Sequence, residues 1–201
     1  MPVIDPAIVV HEISNYPGPK PVWQWLHPVH PRKVVAIKAE VENLLKASFI
    51  YPIPLMDWVS NIVHVAKKLG MICVCVDYYD INRTCPKYNY PTPFINQIID
   101  KCIGSEICSF MDGFFGNNQI NISPVDQHKT TFIFPWGTFY YKNLPFGLKN
   151  ASTTFQQEIS YAFHETRHVV QPYLDDLPAH SAKRRDHPNH LRDIFFMMSA
   201  L

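Results

Sequence analysis

No stretch of this sequence approaches 18 consecutive apolar residues, so no membrane-spanning helix and no membrane partner is expected. The first residues lack a basic segment followed by a sufficient apolar run, so no signal peptide is expected either. The five cysteines, at 73, 75, 85, 102 and 108, form no C-x-x-C pair and leave an odd one over. That usage suits a reducing, intracellular compartment, where cysteine behaves as a small apolar residue. Three N-x-S/T sequons, at Asn82, Asn121 and Asn150, are then idle. Excess charge is also missing: the formal net charge is +1. Nucleic-acid binding therefore needs a local basic groove rather than a basic whole. Lys67, Lys68, Lys129, Lys142, Lys149 and the run Lys183-Arg184-Arg185 are the candidate phosphate contacts, against the plain alternative of solvated surface cations.

What is present is apolar surface. At 201 residues, 47% hydrophobic and 13% aromatic, the chain can bury one sizeable core or two small lobes. Residues 1–32 carry many prolines and read as an extended arm with little regular structure. A helix follows, with Val34, Ile37, Val41, Leu44 and Leu45 at spacings of three and four. Residues 61–66 and 71–77 read as strands joined by a turn at 67–70, and Pro93 as the first residue of a short helix with Ile95, Ile98 and Ile99 on its apolar face. A buried strand ends at Asp112, and residues 130–134 and 138–142 form a hairpin around Pro135-Trp136-Gly137. Asn150 or Ser152 can cap a helix carrying Phe155, Ile159 and Phe163, and a last helix begins near Pro188. Mixed helices and antiparallel strands make the fold class α+β.

The chemistry concentrates in acidic residues. Tyr173-Leu174-Asp175-Asp176 sits between two short apolar stretches, and Asp112 closes the run Ile107 to Met111, 63 residues earlier (175 − 112). Two adjacent carboxylates at a tight turn plus one from a separate strand can hold a pair of Mg2+ ions for phosphoryl transfer. Mg2+ takes few carboxylates and keeps several waters, so three aspartates suffice. The structural alternative is an ordinary Asp-Asp hairpin turn.

Six segments in order resemble the reverse transcriptase of gypsy-type LTR retrotransposons, plant elements most closely. They are L-L-K-A-S-F-I (44–50), V-C-V-D-Y-Y-D-I-N (74–82), F-M-D-G-F-F-G-N-N-Q-I (110–120), D-Q-H-K-T-T-F-I-F-P-W-G-T-F-Y-Y-K (126–142), L-P-F-G-L-K-N-A (144–151) and Y-L-D-D (173–176). The resemblance implies the fingers and palm of a right-hand polymerase with an antiparallel palm sheet. Residues 33–90 and 120–146 would form the fingers, 91–119 and 147–201 the palm. The thumb, connection and RNase H regions expected in an intact Pol polyprotein would lie outside this chain. It implies an RNA-directed DNA polymerase, a nucleotidyltransferase, with Mg2+ (or Mn2+) as cofactor and an RNA or DNA template-primer and dNTPs as partners. The metal ligands and catalytic residues would be Asp112, Asp175 and Asp176, with Phe146 and Gly147 near the nucleotide.

Two positions depart from the family pattern. Where the family places an arginine on the incoming triphosphate stands Cys73, and a thiol supplies neither the charge nor the donors of a guanidinium. Where it places a tyrosine under the sugar stands Asn117, too small to stack or to block a 2′-hydroxyl. Pro178 is expected to interrupt the strand returning from the Asp-Asp turn. These losses suggest weak activity, or a non-catalytic nucleic-acid-binding or decaying fragment. His164-Glu165-Thr166-Arg167-His168 also matches the H-E-x-x-H zinc signature, but at the tail of a helix that must end within a few residues.

Overall fold

The computed structural model describes residues 4–54, 56–66, 72–112 and 116–199. A five-stranded mixed sheet forms the larger layer. Strands β3 (Ser60–Ala66) and β4 (Ile72–Val76) pair antiparallel at its edge with Ile62 opposite Val76. The expected turn at 67–70, with Lys67 and Lys68, lies outside the described residues. β7 (Phe132–Phe134) and β8 (Gly137–Tyr141) form the hairpin around Pro135-Trp136, and β2 (Ile50–Pro52) adds to β8. The sheet order is β2-β8-β7-β3-β4, antiparallel except where β3 runs parallel to β7. Phe132, Phe134 and Tyr141 point into one core, where burying each aromatic ring contributes a few kcal/mol, roughly 1.5–3 on transfer scales. Helix α1 (Pro31–Lys46) covers this sheet through Ile37 and Val41.

The Pro-rich arm is more ordered than its composition suggests. Its Val10–His11 forms β1, parallel to β6 (Asn121–Ile122). Gln24 and Val59 bond backbone to backbone at 2.9 Å, and Asn61 reaches back to the arm, its Oδ1 accepting from His27 N and its Nδ2 donating to Trp25 O. Sheet partners supply the donors and acceptors that a proline-rich segment cannot supply to itself. Pro31 opens α1, two residues earlier than expected, in the position where its missing N–H costs nothing.

The second layer holds the acidic residues. β5 (Ile107–Asp112) pairs antiparallel with β9 (Asp176–Ser181), and residues 170 and 173 bridge to the far side of β9. Helix α4 (Ala151–Ala162) packs beneath through Phe155 and Ile159, with Phe163 just past its end. Helix α5 (His187–Ser199) adds Ile194.

Several expectations need correction here. β5 is not fully buried: it alternates, and its Cys108, Phe110 and Asp112 side face solvent, Phe110 at 80% exposure. Helix α3 runs Ile95–Cys102, after Pro93 rather than from it, and of its three isoleucines only Ile98 is buried. Asn150 occupies the N-cap position of α4 without capping; its amide instead accepts from Tyr88 N and donates to Pro86 O. Pro178 does not interrupt β9. Its carbonyl accepts from Gln171 N at 2.9 Å, so the donor that proline lacks would have pointed toward Gln171 and away from β5. The β5–β9 ladder therefore passes Pro178 intact, with Phe110 opposite it.

Candidate active site

Tyr173 and Asp176 exchange both backbone hydrogen bonds at 2.9 Å, which closes a two-residue hairpin turn with Leu174 and Asp175 at its tip. Such turns need a positive φ at the first tip residue. Leu174 supplies it at φ 51, one of two positive-φ residues other than glycine among those described. Asp112 ends β5 directly opposite Asp176, the first residue of β9. Directly opposed residues have Cβ atoms about 4.5–5.5 Å apart, so Asp112 and Asp176 lie side by side at one end of the hairpin, with Asp175 next to them at its tip.

Their charges feel one another. The Asp175 carboxyl is raised above its ordinary value, first by burial and then by the negative charges of Asp112 and Asp176. Asp112 and Asp176 are exposed and Asp175 half-buried. Hard oxygen donors of concentrated negative charge fit Mg2+ or Mn2+. Among the described residues no three His, Cys, Asp or Glu side chains form a ready-made metal cage. Mg2+ sites are typically built otherwise, from one or two carboxylates completed by water and substrate phosphates, so the donor set remains suitable.

A second cluster lies around Leu144–Lys149. Gly147 has φ 99, a conformation that glycine adopts freely, and a Cβ there would sit 3.5 Å from both Tyr78 and Val76 O. Asn82, on α2 (Tyr79–Thr84), fastens this loop: its Nδ2 donates to Gly147 O at 2.7 Å and its Oδ1 accepts from Lys149 N at 2.8 Å. Phe146 projects at 51% exposure. Cys73 lies half-buried on β4, opposite Val65. Asn117 is buried in a single 3-10 turn, Gly116–Gln119, and its Oδ1 has no hydrogen-bond partner among the described residues. It is thus enclosed rather than displayed on an open surface.

Helix α4 links the two clusters, starting at the end of the Leu144–Lys149 loop. Five residues on, about 7.5 Å along the axis, Gln156 accepts a hydrogen bond from Leu174 N at 2.6 Å. Sequence reading missed Gln156 and Asn82, because each acts on a loop or turn distant in sequence: Leu174 lies 18 residues from Gln156, and Gly147 lies 65 from Asn82. Two of the candidate cations have partners within the fold. Lys129 pairs with Asp126 at 2.6 Å and donates to Ile13 O, and Lys149 donates its Nζ to Asn82 O and Cys85 O. Lys129 is half-buried and held by both contacts, whereas Lys142, Lys149 and 183–185 are exposed. The H-E-x-x-H segment also misses its required geometry. α4 ends at Ala162, and His164 and His168 sit in successive turns beyond it rather than one helical turn apart.

The family description "Reverse transcriptase (RNA-dependent DNA polymerase)" matches residues 60–200, which include both clusters. This chain belongs to that family. Among curated relatives, the Transposon Tf2-3 and Tf2-7 polyproteins of Schizosaccharomyces pombe are each 31% identical over 170 residues. Those matches cover 84% of this chain and 13% of each polyprotein, so the chain spans a small part of its relatives' length. These relatives come from fission yeast; they lend no support to a particular affinity with plant elements. The fold is similar to that of the Prototype Foamy Virus Protease-Reverse Transcriptase, with TM-score 0.85 and 21% identity over 95% of this chain and 25% of that one. A foamy viral protease-reverse transcriptase in complex with an RNA/DNA hybrid gives TM-score 0.82 at 18% identity, over 92% of this chain and 25% of that one. At such identities the likeness carries the α+β fold. No helix among the described residues is long and apolar enough to cross a membrane.

Proposed function

We propose that this chain is the fingers and palm of a retrotransposon reverse transcriptase, with Asp112, Asp175 and Asp176 as its metal carboxylates. The observation that carries the reading is the register of Asp112 against Asp176, with Asp175 electrostatically coupled to both. Three like charges at one hairpin end oppose folding unless a cation or a bound group answers them. When bound, a pair of Mg2+ or Mn2+ ions supplies activation of a primer 3′-hydroxyl and neutralisation of the leaving pyrophosphate. The protein's part is positioning. The two-residue turn fixes Asp175 and Asp176, β5 brings Asp112 to them, and Asn82 holds the Gly147 loop where backbone can approach a nucleotide closely. In this reading residues 33–90 and 120–146 are fingers, and 91–119 and 147–201 palm. The nucleic-acid complexes of the foamy viral relatives favour an RNA or DNA template-primer as the partner.

A second reading, a fragment that binds nucleic acid without catalysis, is favoured by Cys73 and the enclosed Asn117. Losing one charge-assisted contact to a triphosphate costs on the order of 2–4 kcal/mol of transition-state stabilisation, or roughly 30- to 1000-fold in rate. Primer extension on RNA and DNA templates with Mg2+ or Mn2+ separates the two. Slow dNTP incorporation abolished by Asp175→Asn supports the polymerase. Salt-sensitive binding with no incorporation at any metal concentration supports the fragment. Incorporation that survives Asp175→Asn refutes the assignment of the carboxylates.

A further inference from the structure

We infer that Gln156 is a positioning residue that holds the Asp175–Asp176 turn in its strained conformation and so sets the geometry of the carboxylates. The turn asks a γ-branched leucine to hold φ 51, a value that glycine adopts readily and other residues rarely adopt without support. The support comes from one side chain. Gln156 is fully buried in α4, and its Oε1 accepts from Leu174 N at 2.6 Å. Its Nε2 donates to Pro172 O at 3.1 Å and to Ser160 Oγ at 2.9 Å. A single amide thus grips the chain on both sides of Tyr173 and anchors itself one helical turn along α4.

The chemistry requires a group that both accepts and donates. An ionised glutamate could take the Leu174 N–H but could not donate to Pro172 O. A methionine of similar length could do neither, and would leave the part-buried Leu174 N–H without this partner. Without the grip, Leu174 has every reason to relax toward negative φ, which turns the peptide that carries Asp175. Gln156 bonds to Leu174, Pro172 and Ser160, and so acts through the turn. The inference rests on the carboxylate reading above.

The test is a double-mutant cycle in the full chain, read by Mn2+ binding in a titration that monitors free Mn2+ by electron paramagnetic resonance. Gln156→Met is expected to weaken Mn2+ binding about tenfold or more. In a Leu174→Gly background the same substitution should cost less than about threefold, since glycine holds the turn unaided. A role confined to packing predicts equal losses in both backgrounds, and that result overturns the inference. Should Gln156→Met not fold, Ser160→Ala removes one anchor of the same amide and should show the same relief by Leu174→Gly at smaller amplitude. Leu174 amide exchange supplies a readout free of metal, and Gln156→Met should accelerate it about tenfold or more; unchanged protection refutes the grip. If the unmodified chain binds no Mn2+, or binds it equally as Asp175→Asn, the carboxylate reading fails while the exchange result still judges Gln156.

Discussion

Acidification should unfasten the N-terminal arm through His11. This residue lies on β1 at 3% exposure, with its Nδ1 2.9 Å from Thr154 Oγ1 and its ring beside Tyr88. Burial lowers its pKa from 6.5 to about 4, against a smaller opposing pull from the Asp126 charge. The sign follows from proton counting. Between pH 6.5 and 4 the unfolded chain binds the proton and the folded one does not, so stability falls as pH falls through that window and levels off below it. At 1.36 kcal/mol per pH unit the ceiling is about 3 kcal/mol, and about 2 kcal/mol of it should be gone by pH 5. His11→Gln preserves a partner for Thr154 and removes the titration. Urea unfolding followed by tryptophan fluorescence, at pH 7.5 and pH 5, measures both proteins. His180, whose pKa is lowered chiefly by burial, should leave a shared residual slope. The prediction concerns the difference between the slopes: parent minus variant should be about 2 kcal/mol, and a difference below about 0.5 kcal/mol refutes the role given to His11.

Other outcomes follow from the same structure. Gly116→Ala should destabilise by about 1–3 kcal/mol in urea unfolding, because the new methyl would lie within 2.2–2.8 Å of three Phe155 ring atoms. Asp176→Asn should abolish primer extension yet stabilise the fold by about 0.2–1 kcal/mol at neutral pH, since it removes a like charge directly opposite Asp112. Asp175→Asn should also stabilise at neutral pH, because a carboxyl with a raised pKa costs stability once ionised; the gain should vanish as acid protonates the parent carboxyl, read as converging melting curves. Cys73→Arg should be tolerated at its half-buried site and tighten dNTP binding, whereas Asn117→Tyr should cost about 1–3 kcal/mol by overfilling a buried position. Both are checked by thermal denaturation alongside nucleotide titration.

Periodicity and turn chemistry made much of this molecule legible. The spacing of Phe155, Ile159 and Phe163 gave α4 its buried face because it is a strict repeat. The Asp175-Asp176 turn was legible because its residues are adjacent, whereas joining Asp112 to it drew on the ordered segments of the family resemblance. The misreadings share a physical cause: each depended on which neighbour a group faces. Ile107 to Met111 reads as a buried run, but a strand with one open face alternates, and nothing local says that its second face lacks a cover. Pro178 lacks a donor wherever it stands, yet only the pairing shows that the gap points toward Gln171. Asn150 can cap a helix, but Tyr88 and Pro86 lie close enough to claim its amide. Gln156 looks like any glutamine on a helix until the turn 18 residues later closes over it.

The end of β9 concentrates costs that stability alone would remove. Within five residues stand a leucine at positive φ, two adjacent aspartates of which Asp176 faces Asp112, and a proline that can offer no backbone donor. Local rules of this kind are broken together chiefly where function demands it. The offsets sit nearby: Gln156 satisfies the strained turn, and Leu177 and Ala179 bury fully between the flanking elements. The other cluster has a different balance. The Gly147 loop keeps its glycine geometry and its Asn82 fastening, while Cys73 and Asn117 stand where the family resemblance leads one to expect an arginine and a tyrosine. Because α4 joins the clusters mechanically while each draws on its own side chains, damage to one need not weaken the other. On the proposed function, metal affinity and nucleotide affinity are then separate properties: the first would rest on the turn that Gln156 braces, the second on the loop that Asn82 fastens.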